Sequence, residues 1–190
     1  MIYFSSDFHI GHKRIIEFEP DRLKWCKDLP DMNFILLQDI LSLTAEDELY
    51  ILGDFLFQKH ILYNRVEEIL KPRKCKLHLI LGNHDEDLSI SWLTDVFDSY
   101  GFYDKITTEG RTFILSHYPM CSWDGCGLKD KPSIMLHGHL HSRKTDYSHP
   151  RLFNVGVDST MYDGRLISAK DIIKICNQKE NTLRQYWADI

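Results

Sequence analysis

Short apolar runs that end abruptly in polar groups recur along the chain. Residues 2 to 6 are β-branched, aromatic or small and stop at Asp7; Glu48 to Leu52 stops at Gly53-Asp54; Leu77 to Leu81 stops at Gly82-Asn83-His84-Asp85. Each run predicts a strand with chemistry at its C-terminal edge. Between the strands the apolar spacing turns helical. Gly11-His12 leads into a short helix with Ile15, Ile16 and Phe18. Asp31 is placed to cap a helix through Leu43 whose stripe is Phe34, Leu37, Ile40 and Leu41. A further helix runs from Lys59 to Leu70 and stops before Pro72, while Asp87 to Tyr100 is weakly helical. The charged stretch 19–31, with Pro20 and Pro30, reads as an exposed connection. This alternation predicts an α/β layered fold.

Beyond about residue 101 the pattern changes. Thr112 to Ser116, Ser133 to His137 and Leu152 to Val157 read as strands without long helices between them, which predicts a second, more mixed or antiparallel sheet. Tyr118 to Lys131 reads as a surface loop close to whatever His117 serves, and Ser168 with Asp171 opens a last helix. At 190 residues, 43% of them hydrophobic and 27% charged, the chain fits a single domain, 1–190, with a substantial core. The net charge of -5 argues against a broad nucleic-acid footprint without excluding a small phosphate-containing substrate. Five cysteines without a CxxC pair suit a reducing cytoplasm, and neither a signal segment nor a membrane span is expected.

The strand-end blocks collect Asp7, His9, Asp54, Asn83, His84, His117, His139 and His141. Asp7 and His9, two apart in an extended segment, are expected to aim at one target. Singly, each block has an ordinary explanation as a turn. Jointly they offer carboxylate, amide oxygen and imidazole but no thiolate, which suits Mn²⁺, Fe or Zn²⁺ in a catalytic site. The set exceeds what one ion needs, and two ions bridged by a carboxylate would use it. Such a pair suits in-line phosphoryl displacement and leaves one imidazole to give the leaving group its proton.

The order Asp7-x-His9, Gly53-Asp54, Gly82-Asn83-His84-Asp85, His117 and Gly138-His139-x-His141 resembles the calcineurin-like metallophosphoesterase family, and Gly11-His12, Ser116-His117-Tyr118-Pro119 and Asn154-Val155-Gly156-Val157-Asp158 resemble its small single-domain bacterial and phage members. The resemblance implies an αββα sandwich of two mixed β-sheets flanked by helices. It implies that Asp7, His9 and His141 hold one metal, that Asp54 bridges, and that Asn83, His117 and His139 hold the second. His84 becomes the general acid while a metal-bridged hydroxide attacks phosphorus, and Asp85 is expected to orient His84. Two divalent ions are expected, Mn first, with Fe, Zn or Ni as alternatives. The expected substrate is a phosphodiester or small phosphomonoester, with His12 as a further phosphate contact. One departure from many relatives is Phe55-Leu56-Phe57 after the bridging aspartate, where they carry further polar residues. The alternatives are a catalytically silent scaffold of the same fold and a nuclease.

Overall fold

The computed structural model describes residues 1–57, 59–143 and 149–188, without the side chains of residues 59, 60 and 183–188. Its first sheet holds β1 (Ile2–Ser5), β2 (Glu48–Ile51), β3 (Lys76–Ile80), β4 (Ser99–Gly101) and β9 (Ile167–Ser168), in the order β4-β3-β2-β1-β9. The first four run parallel, and β9 closes the edge antiparallel to β1. The second sheet holds β5 (Tyr103–Thr108), β6 (Arg111–Ser116), β7 (Ile134–His137) and β8 (Leu152–Asn154) in chain order. Its β5–β6 pair is antiparallel and the remaining pairs are parallel. Two mixed sheets flanked by helices make the α/β sandwich that the pattern predicts.

The two-residue period of the strands explains the layering. Leu49, Ile51, Leu77 and Leu79 face a core shared with α1 (Ile15–Phe18), α2 (Leu29–Ser42), α3 (Lys59–Leu70) and α4 (Ile90–Val96), through Ile15, Met32, Leu36, Ile40, Val66 and Trp92. Their neighbours Phe4, Tyr50, Leu52 and Ile80 point the other way. They meet Phe113, Leu115, Leu136 and Phe153 of the second sheet, together with Ile172 and Cys176 of α5 (Ala169–Ala188). Phe4 and Phe113 touch across the sheets with ring centroids 5.4 Å apart. On its outer face the second sheet buries Ile114, Met135 and Leu152 against Trp123 of the long loop. With both faces covered, the parallel strands end in loops on one side of the molecule, and those loops carry the polar blocks.

Several local expectations are corrected. Helix α2 is capped by Asp28, whose side chain accepts from the Asp31 amide at 2.9 Å, so Pro30 lies in the first turn rather than in a connection. Asp31 reaches back to the Lys27 amide instead. Phe34 falls off the buried stripe and is 60% exposed, its place taken by Met32 and Leu36. The stretch 19–31 contains a 3₁₀ turn (Pro20–Lys24), and within it Arg22 is only 1% exposed. Asp87 to Tyr100 divides into α4 and the three-residue strand β4. The predicted strand from Leu152 ends at Asn154. Ser168 does cap α5, accepting from the Asp171 amide and donating to the Asp171 carboxylate. All five cysteines are free, and no helix among the described residues is long and apolar enough to cross a membrane.

Candidate metal centre

The strand-end loops are tied to one another before any side chain is considered. The Asp7 amide donates to Gly53 O at 3.0 Å and the His9 amide to Asp54 O at 2.9 Å, while Gly138 donates to His117 O at 3.0 Å. Ser6 Oγ donates to Leu52 O at 2.6 Å. These bonds hold the backbone in an unusual state. Among the described residues seven non-glycine positions have positive φ, and five of them are Asp7 (60°), His9 (51°), Asp54 (56°), His139 (68°) and His141 (51°). The expectation that Asp7 and His9 share a side because their segment is extended is therefore wrong in its reason. The strand ends at Ser5, and left-handed turns aim both side chains. Backbone strain of this kind persists where surrounding structure enforces it and gathers at functional sites.

The side chains converge. Ligand atoms of Asp7, His9 and His141 lie within 4.8 Å of one another, as do those of Asp7, Asp54 and His117. Asp54 Oδ2 stands 3.5 Å from His9 Nε2 and 3.5 Å from His117 Nε2, between the two groups. Asn83 Oδ1 is 3.1 Å from His117 Nε2, and the His139 ring lies edge-on to His117 with centroids 5.1 Å apart. Asp7 belongs to both groups, so two carboxylates stand at the junction. Each is steadied from a neighbouring loop. The His139 amide donates to Asp7, and the His84 amide donates to Asp54 Oδ1 at 2.9 Å.

The protonation chemistry suits cation binding. Both ring nitrogens of His9 are buried, and neither makes a hydrogen bond among the described residues. Burial, then the neighbouring His141 and Arg22, holds its pKa far below the ordinary imidazole value, so His9 is a neutral donor with a free lone pair. His139 is lowered too, by burial and by His117. His117 places Nδ1 2.8 Å from Leu52 O; a proton donated there leaves Nε2 facing Asp54 and Asn83. His141 differs. Burial lowers its pKa, but a 2.7 Å hydrogen bond to Asp158 and the charge of Asp7 outweigh that and raise it. Buried Asp7 is raised by desolvation, only partly offset by His141 and His117. A buried neutral imidazole without a hydrogen-bond partner beside two carboxylates, an amide oxygen and three more imidazoles fits a divalent metal pair.

Three expected site residues sit around this cluster. The His84 ring borders it, 5.3 Å from His9 and 5.2 Å from Phe57 between centroids. The His12 ring lies tilted against Phe57 with centroids 3.9 Å apart, and its Nδ1 is buried without a hydrogen-bond partner among the described residues. Asp85 turns into the protein. Its carboxylate accepts from the amides of Asp54 (2.7 Å), Gly82 (2.9 Å) and Phe55 (3.1 Å), joining the loop of Asp54 to that of Asn83. Burial pushes its carboxyl up to about 6, with those three donors pulling the other way. Asp85→Ala strands three buried N–H groups and is expected to cost roughly 3–5 kcal/mol in a urea unfolding experiment, at about 1–3 kcal/mol per orphaned donor with partial relaxation.

Glycine is required where the loops touch. At Gly53, with φ +93°, a methyl group would run into the His117 ring, whose Nδ1 is held by Leu52. Gly53→Ala is expected to lower stability by roughly 1–3 kcal/mol and to weaken metal retention, read by thermal unfolding and by metal content after dialysis. The sequence reading missed two buried partners of the centre, Arg22 and Asn154. Asn154 donates to His141 O at 3.0 Å and accepts from the Gly156 amide at 2.9 Å. It and Asp158 lie in Asn154-Val155-Gly156-Val157-Asp158, at the end of β8 and just beyond it.

A two-sheet α/β sandwich with oxygen and imidazole groups clustered at the strand ends defines a metal-centre class of protein. Within that class, the chain belongs to the calcineurin-like phosphoesterase family, whose sequence pattern matches residues 1–182. It is similar to the Gene 66 protein of Mycobacterium phage L5, 27% identical over 92% of this chain and 93% of the relative. The Gene 66 protein of Mycobacterium phage D29 is 29% identical over 83% and 88%. Among solved structures, a protein of unknown function from Aquifex aeolicus superimposes with a TM-score of 0.68 at 30% identity, covering 92% of this chain and 98% of the other.

Proposed function

We propose that the protein is a dinuclear metal-dependent phosphoesterase acting on a phosphodiester or a small phosphomonoester. The observation that carries this reading is the run of left-handed backbone at Asp7, His9, Asp54, His139 and His141, strain concentrated where the side chains converge. Asp7, His9 and His141 would hold one ion and Asn83, His117 and His139 the other, with the Asp54 carboxylate standing between the two groups. Once bound, the two ions, manganese in the first place, lower the pKa of water and neutralise charge growing on the phosphate oxygens.

The chain's own residues supply the rest. His84 lies at the rim, where its imidazole can give a proton to the departing alkoxide. Its backbone amide is fixed by Asp54 Oδ1, so the donor and the metal carboxylate keep one spacing. Asp85 acts on His84 indirectly, by locking the loops that carry Asp54 and Asn83. His12, packed against Phe57 beside His9, meets the phosphate or the group attached to it.

Chelator-stripped protein, reloaded with Mn²⁺, is expected to hydrolyse a chromogenic phosphodiester or phosphomonoester that the stripped protein leaves intact. Failure of the reloaded protein on both substrates would overturn the reading.

A further inference from the structure

Among the described residues Arg22 heads the fully buried side chains by volume, and it belongs to none of the blocks that carry the metal chemistry. All of its N–H directions are used. Nε and Nη2 donate to Asp158 Oδ1 and Oδ2 at 2.8 and 2.6 Å, Nη2 also to Asp7 O at 2.7 Å, and Nη1 to Phe8 O at 3.0 Å and Met32 S at 3.3 Å. Asp158 Oδ2 then accepts from His141 Nδ1 at 2.7 Å. A buried arginine–carboxylate pair is weak evidence of a stabilising role, because apolar side chains often serve as well. Here two of the pair's other bonds reach the group Asp7, His9 and His141, at Asp7 O and at His141 Nδ1, and Phe8 O lies between Asp7 and His9 in the chain.

We infer that Arg22 and Asp158 are positioning residues for one metal position, that of Asp7, His9 and His141, and not for the other. Asp158 holds His141 as the Nδ1–H tautomer, which turns the Nε2 lone pair toward Asp7 Oδ1, 3.8 Å away. Arg22 fixes Asp158 and grips the carbonyls of Asp7 and Phe8, where the backbone is left-handed at Asp7. At the second position the His117 imidazole is set instead by the backbone carbonyl of Leu52, and neither Arg22 nor Asp158 bonds to it. The inference rests on the metal-centre reading of these histidines and adds an asymmetry to it: two positions, supported by different means.

Mn²⁺ titration of the chelator-stripped full chain tests it. Asp158→Ala is expected to weaken one of the two ions roughly ten- to hundredfold and to leave the other as in the wild type. Asp158→Asn, which keeps an oxygen acceptor, is expected to recover part of that loss. Because Asp158→Ala leaves the Arg22 charge buried and unpaired, the double variant Arg22→Met with Asp158→Ala is measured alongside and is expected to show the same one-ion loss. Nitrogen NMR of His141 in metal-free protein, at a pH high enough to leave the imidazole neutral in both proteins, gives a second readout: one Nδ1–H tautomer in the wild type, a mixture in Asp158→Ala. Unchanged affinities for both ions with an unchanged tautomer would overturn the inference, as would equal weakening of both. If the wild type binds no ion, the metal-centre reading falls, and the His141 tautomer alone decides the positioning role.

Discussion

His84→Ala is expected to bind as many ions as the wild type and to hydrolyse an alkyl phosphodiester roughly 10²–10⁴ times more slowly. The metal centre survives because His84 is anchored by its backbone amide, bonded to Asp54 Oδ1 at 2.9 Å, and alanine keeps that amide. What disappears is the imidazole beside His9 and Phe57. The loss should depend on the leaving group. An alkoxide needs a proton as it departs, whereas nitrophenolate leaves as a stable anion, so the same variant should lose far less on a nitrophenyl ester. Equal losses on the two esters would deny His84 the acid role, and an unimpaired variant on the alkyl ester would deny it any role in the chemistry.

The largest effect on the centre itself is expected from Asp54→Asn. Asparagine tolerates the left-handed φ of 56° at this position and can still accept the His84 amide, so the loop should keep its shape. The variant lacks the charged oxygen that stands 3.5 Å from both His9 and His117. Loss of at least one ion on dialysis is expected, with a fall in rate on the order of 10³-fold as several kcal/mol of charge stabilisation is lost. Elemental analysis checks it, and two retained ions would refute the bridging role.

These variants touch residues that were legible in the sequence, and the reasons are physical. Parallel strands buried on both faces must be nearly continuous in apolar residues, so β1, β2 and β3 announce themselves, and the polar blocks at their ends stand out by contrast. Strands β4 and β9, of three and two residues, are too short to show a period. Arg22 was hidden for another reason. Its partner Asp158 is 136 positions away, and in local pattern a buried arginine within a charged stretch looks the same as a solvated one. Phe34 misled because helical spacing marks a face without saying how far the burial extends across it. Asp85 shows a related limit. Adjacent to His84 in sequence, it spends its carboxylate on three backbone amides, two of them some thirty positions earlier.

The central claim is that two ions, gathered by these loops, act together on a phosphate ester. Its most direct test is to titrate Mn²⁺ into chelator-stripped wild-type protein, recording ions bound and hydrolysis rate on the same samples. The account predicts that two ions bind per chain and that full activity appears only as the second position fills. Full activity with a single ion bound, or no activity with both bound, would contradict it.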